Sequence, residues 1–147
     1  MPDMIIMVGL PLSGKSTLAE KMAQGISQGR GPSYTIVCPD DVRMALYNQE
    51  FWGPADPMVW GIVDVMARSL LLRGQRIIVD ATNVTRWERA KWTRLAKDFD
   101  IEYTFSNVQT SVEECVERAR LDGREEMIPV IERLYSKFQN IESYEWQ

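Results

Sequence analysis

Residues 4–17, MIIMVGLPLSGKST, constrain this chain more than any other stretch. An apolar run rich in β-branched residues ends at Gly9, and a helical pattern begins after Gly14. A strand that stops in glycine and resumes as a helix leaves backbone N–H groups without protein partners, because the first helical turn has no acceptors of its own. Gly9 and Gly14 permit the torsions and close approaches that turn those donors inward. Lys15, Ser16 and Thr17 then add a cation and two hydroxyls. The segment matches G-x-x-x-x-G-K-[ST] in the context that gives the pattern its meaning, a strand before and a helix after. The anion it calls for is the phosphate chain of a nucleoside triphosphate, with ATP as the default, held at the positive end of the helix dipole. Gly9, Ser13 and Gly14 are expected to build the cradle. Lys15 should reach the β- and γ-phosphates, Ser16 should ligate Mg²⁺, and Thr17 should contact the α-phosphate.

Three further β-rich runs follow at 34–38, 76–80 and 101–108, separated by stretches of helical period. Of the four runs, the first three read as buried on both faces, as strands in parallel sheets are. Thr85 is placed to cap the helix TRWERAKWTRLAKDF, with Trp87, Ala90 and Leu95 on its buried side. Alternating strands and helices predict an α/β, three-layer P-loop NTPase fold: a mostly parallel sheet of four to five strands, flanked by helices. SVEECVERARL and IPVIERLYSKFQ add a C-terminal helical lid over about 111–139. The whole of 1–147 reads as a single domain. Ligands of such sheets bind beyond the carboxyl ends of the strands. That rule gathers the glycine loop, Asp40–Asp41 and Asp80–Asn83 along one edge.

Composition narrows the chemistry. There is no histidine, so any general base must be a carboxylate or, failing that, a lysine or tyrosine. A formal charge of −4 argues against coating nucleic acid with the whole surface, though it permits a local basic groove. Cys38 and Cys115 form no C-x-x-C pattern, and Asp3 precedes the first apolar run where a signal peptide would carry basic residues. A cytoplasmic chain with reduced thiols, without a membrane partner, is the expectation; oligomeric state is not encoded in any pattern found.

A guanine-reading N-K-x-D segment is missing, and the chain is short for a motor ATPase. A small phosphotransferase fits better, and it needs a carboxylate to take the acceptor's proton and cations around the transferring group. Asp40, in CPDDVR after the second strand, is the candidate base, with Arg43 one turn on to hold a phosphate. One of Asp40 and Asp41 can also cap the helix they open, and Asp41 is the better candidate for that task. Asp80 ends the third strand, where it supports a metal ion or orients a side chain such as Arg43. Asn83 is either a substrate contact or a turn residue. Arg118, Arg120 and Arg124 flank the Asp122–Gly123 break; Arg120 and Arg124 are ranked first for contacting phosphate, against pairing with the surrounding glutamates. Trp52 can stack an acceptor base or sugar, or simply pack. Trp60 reads as core. The helix bearing Arg86, Trp87, Arg89, Lys91, Trp92 and Arg94 is the most basic stretch, either a solvated face or a surface for a phosphate backbone.

Taken together, GLPLSGKST, PDDVR, DATN, WERAKW, VERARLDGR and IPVIERLY resemble the kinase domain of the T-even bacteriophage polynucleotide kinase family, over nearly the whole chain. The resemblance implies transfer of the ATP γ-phosphate to the 5′-hydroxyl end of DNA or RNA. It implies Asp40 as general base, Arg43 on the phosphate beside the acceptor end, and Arg120 or Arg124 on the donor. The same motifs serve kinases of small molecules such as sugars, nucleosides and antibiotics, which is the alternative expectation. A nucleotide-binding regulatory protein is a third.

Overall fold

The computed structural model describes residues 1–25, 33–49 and 56–146. Four strands, β1 (Met4–Val8), β2 (Thr35–Val37), β3 (Ile77–Val79) and β4 (Tyr103–Asn107), form one sheet. Its order is β2-β3-β1-β4 and every pairing is parallel. Met4, Ile5 and Ile6 stand in register with Ile77, Ile78 and Val79 on one side and with Tyr103, Thr104 and Phe105 on the other. All five residues of β1 are buried, as the central strand of a doubly covered sheet must be.

Side-chain alternation along β1 divides the core in two. Met4, Ile6 and Val8 face α3 (Asp56–Leu72) and α4 (Arg86–Asp98), whereas Ile5 and Met7 face α1 (Lys15–Gln24). Helix α3 meets the sheet through Val59, Val63, Ala67 and Leu71, one residue per turn. Helix α1 buries Ala19 and Ala23 against the sheet, with Met22 at the margin, so it can lie close. Between β2 and α3 runs α2 (Pro39–Tyr47). A third apolar cluster of Leu10, Val84, Cys115, Ala119 and Ile131 seats α5 (Val112–Leu121) and α6 (Ile128–Lys137) over the loops after β1 and β3. This is the α/β three-layer arrangement expected, with four strands. No helix among the described residues is long and apolar enough to cross a membrane.

The helix starts follow local chemistry. Thr85 accepts from Glu88 N at 3.2 Å at the head of α4, and Ser111 does the same for Glu114 N at 3.2 Å at the head of α5. Helix α2 departs from expectation. Neither Asp40 nor Asp41 caps it: Cys38 is the N-cap, Pro39 takes the first turn, and both aspartates fall inside that turn. Proline needs no partner there, and the carboxylates suit the positive end of the helix.

Helix α4 overturns a second expectation. Trp87 is 82% exposed, while Trp92 at 1% and Arg89 at 0% are buried. Arg89 is therefore closed to a phosphate backbone. Its Nε and Nη2 donate to the two carboxylate oxygens of Glu145 at 2.8 and 3.2 Å, and its Nη1 donates to Asn83 O at 3.0 Å. Lys91 likewise turns inward, with Nζ 4.6 Å from the centre of the Trp60 ring. The Arg89–Glu145 pair pins the C-terminal segment to α4. Tyr103 Oη donates to Glu145 O, and Trp146 meets Phe105 edge-on at 5.0 Å.

Candidate active site

The loop between β1 and α1 is held from three directions. Gly9 N donates to Thr82 O at 3.0 Å, Thr110 Oγ1 to Ser13 O at 2.7 Å, and Arg118 Nη1 to Leu12 O at 3.0 Å. A Cβ on Gly9 would lie 2.8 Å from Ser13 Oγ and 3.2 Å from Val108 O, so any side chain there would displace Ser13 and press on the strand end. Gly14, the N-cap of α1, has φ of +93° and supplies no side-chain cap. The first amides of α1 are thus left for an external anion. Leu12 also takes a left-handed φ of +64°, a strained choice for that residue that the Arg118 bond helps to maintain.

Lys15 is buried, and among the described residues its ammonium has neither a hydrogen-bond acceptor nor a carboxylate partner. Lys15 lines the cavity, where a ligand phosphate can take the place of water at its ammonium. Ser16 Oγ donates to Asp80 Oδ2 at 2.7 Å. The other oxygen, Asp80 Oδ1, is buried with no donor. Both tasks expected for Asp80 stay open: the side chain it orients is Ser16 and not Arg43, and the hydroxyl–carboxylate pair fits a magnesium ion bound through few protein oxygens.

Across the cleft, Arg43 is 6% exposed and clamped between two carboxylates. Its Nη1 donates to Asp40 Oδ1 at 2.7 Å, and its Nε and Nη2 donate to Asp56 Oδ1 at 3.1 and 2.8 Å. The Asp40 side chain stays 58% exposed, open to an incoming alcohol. Cys38 lies beneath, its thiol pushed up to about 12 by burial first and then by the charges of Asp80, Asp41 and Asp40, against the lowering bond from the Asp41 backbone. It is no nucleophile at neutral pH. These groups line one cavity of about 630 Å³ with Gly14, Lys15, Ser16, Thr17 and Asp80. Met127, Val130 and Leu134 of the C-terminal helices give it an apolar wall.

Several candidates change place. Asn83 does not reach the cleft: it is 1% exposed, has φ of +47°, and donates Nδ2–H to Met7 O at 2.8 Å. It is a turn residue that ties the loop after β3 to β1. Arg120 is exposed on the outer side of α5, 3.7 Å from Glu117, and does not line the cavity. Arg118 and Arg124 do, so Arg118 takes the place expected of Arg120 while Arg124 keeps its own. Trp52 lies outside the described residues. Asp56 carries no signal in the sequence, for no motif joins it to Arg43. Arg118 does carry one: Cys115 and Ala119 mark the buried face of α5, and position 118 shares that face.

Strand, glycine loop, unpaired lysine, and carboxylates presented after β2 and β3 define a P-loop nucleotide-binding fold of the kinase-like type. The chain belongs to the AAA domain family AAA_33, whose model matches residues 4–132. None of the curated proteins matches it by sequence. Among solved structures, a chain of the Pnkp1/Rnl/Hen1 RNA repair complex superposes with a TM-score of 0.70 at 21% identity over 94% of this chain. This chain spans only 46% of that one. The Mycobacterium tuberculosis APS kinase CysC, in complex with AMPPNP and APS, gives 0.70 at 20% identity, covering 95% of this chain and 83% of its own. A gluconokinase from Sinorhizobium meliloti 1021 gives 0.64 at 17% identity, covering 95% and 76%. At these identities the likeness is one of fold.

Proposed function

We propose that the protein transfers the γ-phosphate of ATP to an acceptor hydroxyl, and that the acceptor is the 5′-hydroxyl end of DNA or RNA. One observation carries the proposal: the exposed carboxylate of Asp40 faces the same cavity as the unpaired Lys15, with Arg43 fixed beside it.

The triphosphate lies along Gly14–Thr17, where the free amides of α1 and the Lys15 ammonium meet its negative charge. Magnesium, when bound, is held by Ser16 and Asp80 and neutralises charge on the β- and γ-phosphates. Asp40 accepts the proton of the acceptor hydroxyl as its oxygen bonds to the γ-phosphorus. The bond from that phosphorus to the bridging oxygen of ADP breaks, and ADP leaves. A phosphate beside the acceptor hydroxyl competes with Asp40 for the Arg43 guanidinium, whose planar fork suits a phosphate. Arg118 and Arg124 add positive charge on the donor side. Asp56 is a positioning residue: it fixes one edge of the Arg43 guanidinium so that the other faces the cleft.

A second reading has its own support. The APS kinase and gluconokinase share the fold as well as the RNA repair chain does, with TM-scores of 0.70 and 0.64 against 0.70, so the fold suits a small-molecule acceptor equally. The deciding experiment offers ATP labelled at the γ-position to a 5′-hydroxyl oligodeoxynucleotide, its RNA counterpart, and a panel of sugars and nucleosides. Label on either oligonucleotide is expected. Label on a sugar or nucleoside alone transfers the assignment to the small-molecule reading.

A further inference from the structure

A second groove, of about 480 Å³, lies between the outer face of α4 and the C-terminal segment. Arg86, Trp87, Arg94 and Lys97 line it from the helix, and Tyr144 and Glu145 from the segment opposite. The helix positions form one stripe, about 16 Å long at the rise of an α-helix. Trp87 is 82% exposed and Tyr144 74%, large apolar rings left in water on a face the fold itself does not use. The charge is equally uneven. The chain carries 21 acidic and 17 basic residues, yet three cations converge here. Glu145 is already committed to buried Arg89 at 2.8 Å, and only Arg86 is paired, with Glu142 at 2.8 Å. Among the described residues Arg94 and Lys97 have no carboxylate partner. Arg86 Nε is buried and has no acceptor.

From this geometry we infer that the groove binds a single-stranded polynucleotide. Cations track a phosphate backbone, and rings with open faces stack its bases whatever the sequence. An acidic peptide would use the cations and leave Trp87 and Tyr144 unexplained. The groove begins at the head of α4, the helix that follows the loop bearing Thr82 of the catalytic cavity. The inference rests on the polynucleotide reading of the acceptor and extends it to nucleotides away from the reacting end.

The test measures binding of a fluorescent single-stranded oligonucleotide over a series of salt concentrations, with ATP binding as the check on folding. R94Q/K97Q is expected to weaken binding and to reduce the slope of log affinity against log salt by about 1.4, for two phosphate contacts on a single strand. W87A should weaken binding about 5- to 150-fold, the range for loss of one stacked base. If the wild-type protein binds the oligonucleotide and neither variant alters it, the groove is overturned while the acceptor assignment stands. Phosphorylation of a 5′-hydroxyl dinucleotide as efficiently as a long strand would overturn the groove in the same way. If no oligonucleotide is bound or phosphorylated, both fail. Equal competition by an acidic polypeptide would reassign the groove to a protein partner.

Discussion

Arg43 is the residue on which the acceptor side turns. A buried guanidinium is tolerated because Asp40 and Asp56 accept its hydrogen bonds, and the two carboxylates are not equivalent. Both line the cavity, but Asp40 accepts from Nη1 within α2, whereas Asp56 accepts from Nε and Nη2 and anchors the guanidinium from the head of α3. Replacing Asp56 by Asn keeps the shape and removes the charge. Loss of a charge-assisted bond of about 1.5–3 kcal/mol then lets Arg43 drift, and the acceptor KM should rise tenfold or more with the ATP KM unchanged. Steady-state kinetics with each substrate varied in turn checks this; a matched rise in both constants would mean general damage. One half of this arrangement is legible in the sequence, since P-D-D-V-R places Asp40 and Arg43 one turn apart. Asp56 is not, because its partnership depends on how α3 lies against α2. Asn83 misleads for a related reason. A polar residue beside a strand end looks available, but asparagine tolerates a left-handed φ and can spend its amide on backbone.

Among the helices, α5 and α4 make separate predictions. The face of α5 that buries Cys115 and Ala119 carries Arg118 to the phosphate loop, while Arg120 looks outward. R118A should loosen the Leu12 turn and raise the ATP Kd several-fold; R120A should leave it within about twofold, as exposed pairs contribute little. Isothermal titration with a non-hydrolysable ATP analogue separates the two. Helix α4 is locked to the chain end by Arg89 and Glu145. Burial works to raise the Glu145 pKa, but the Arg89 hydrogen bonds, the Glu142 backbone N–H and the Arg89 and Arg86 charges outweigh it, and the carboxyl titrates below its ordinary value. A carboxylate with a lowered native pKa stabilises the fold at pH above the unfolded value, and that stability is lost as pH falls through the native one. Urea denaturation should therefore show stability dropping on the acid side of the ordinary carboxylate range, with that share of the slope missing in E145Q. R89M leaves Glu145 buried without its cation and should cost about 3–5 kcal/mol at neutral pH. Sequence periodicity finds α4 and its Thr85 cap but puts Trp87 inside and leaves Arg89 open to phosphate. Hydrophobicity ranks tryptophan for the core, and only the distant Glu145 explains why an arginine takes that place.

For the whole molecule, the strand–loop–helix start and the alternation after it are enough to foresee a parallel sheet with its ligand edge at the carboxyl ends. The order β2-β3-β1-β4 follows from which crossovers pack, and no local pattern states it. That order sets β1 beside β3 and β3 beside β2, so the loops after all three converge on one cavity. The acidic chain as a whole gives little sign of a polynucleotide partner, whereas the fold concentrates Arg86, Arg94 and Lys97 along one groove. In the proposed reaction Asp40 takes the acceptor's proton while Lys15 and its loop hold the donor. Its most direct test is single-turnover transfer from labelled ATP by D40N, with ATP affinity measured on the same sample. Transfer should fall by about 10²–10⁴, the range for loss of a general base, with ATP affinity preserved; transfer at the wild-type rate would contradict the account.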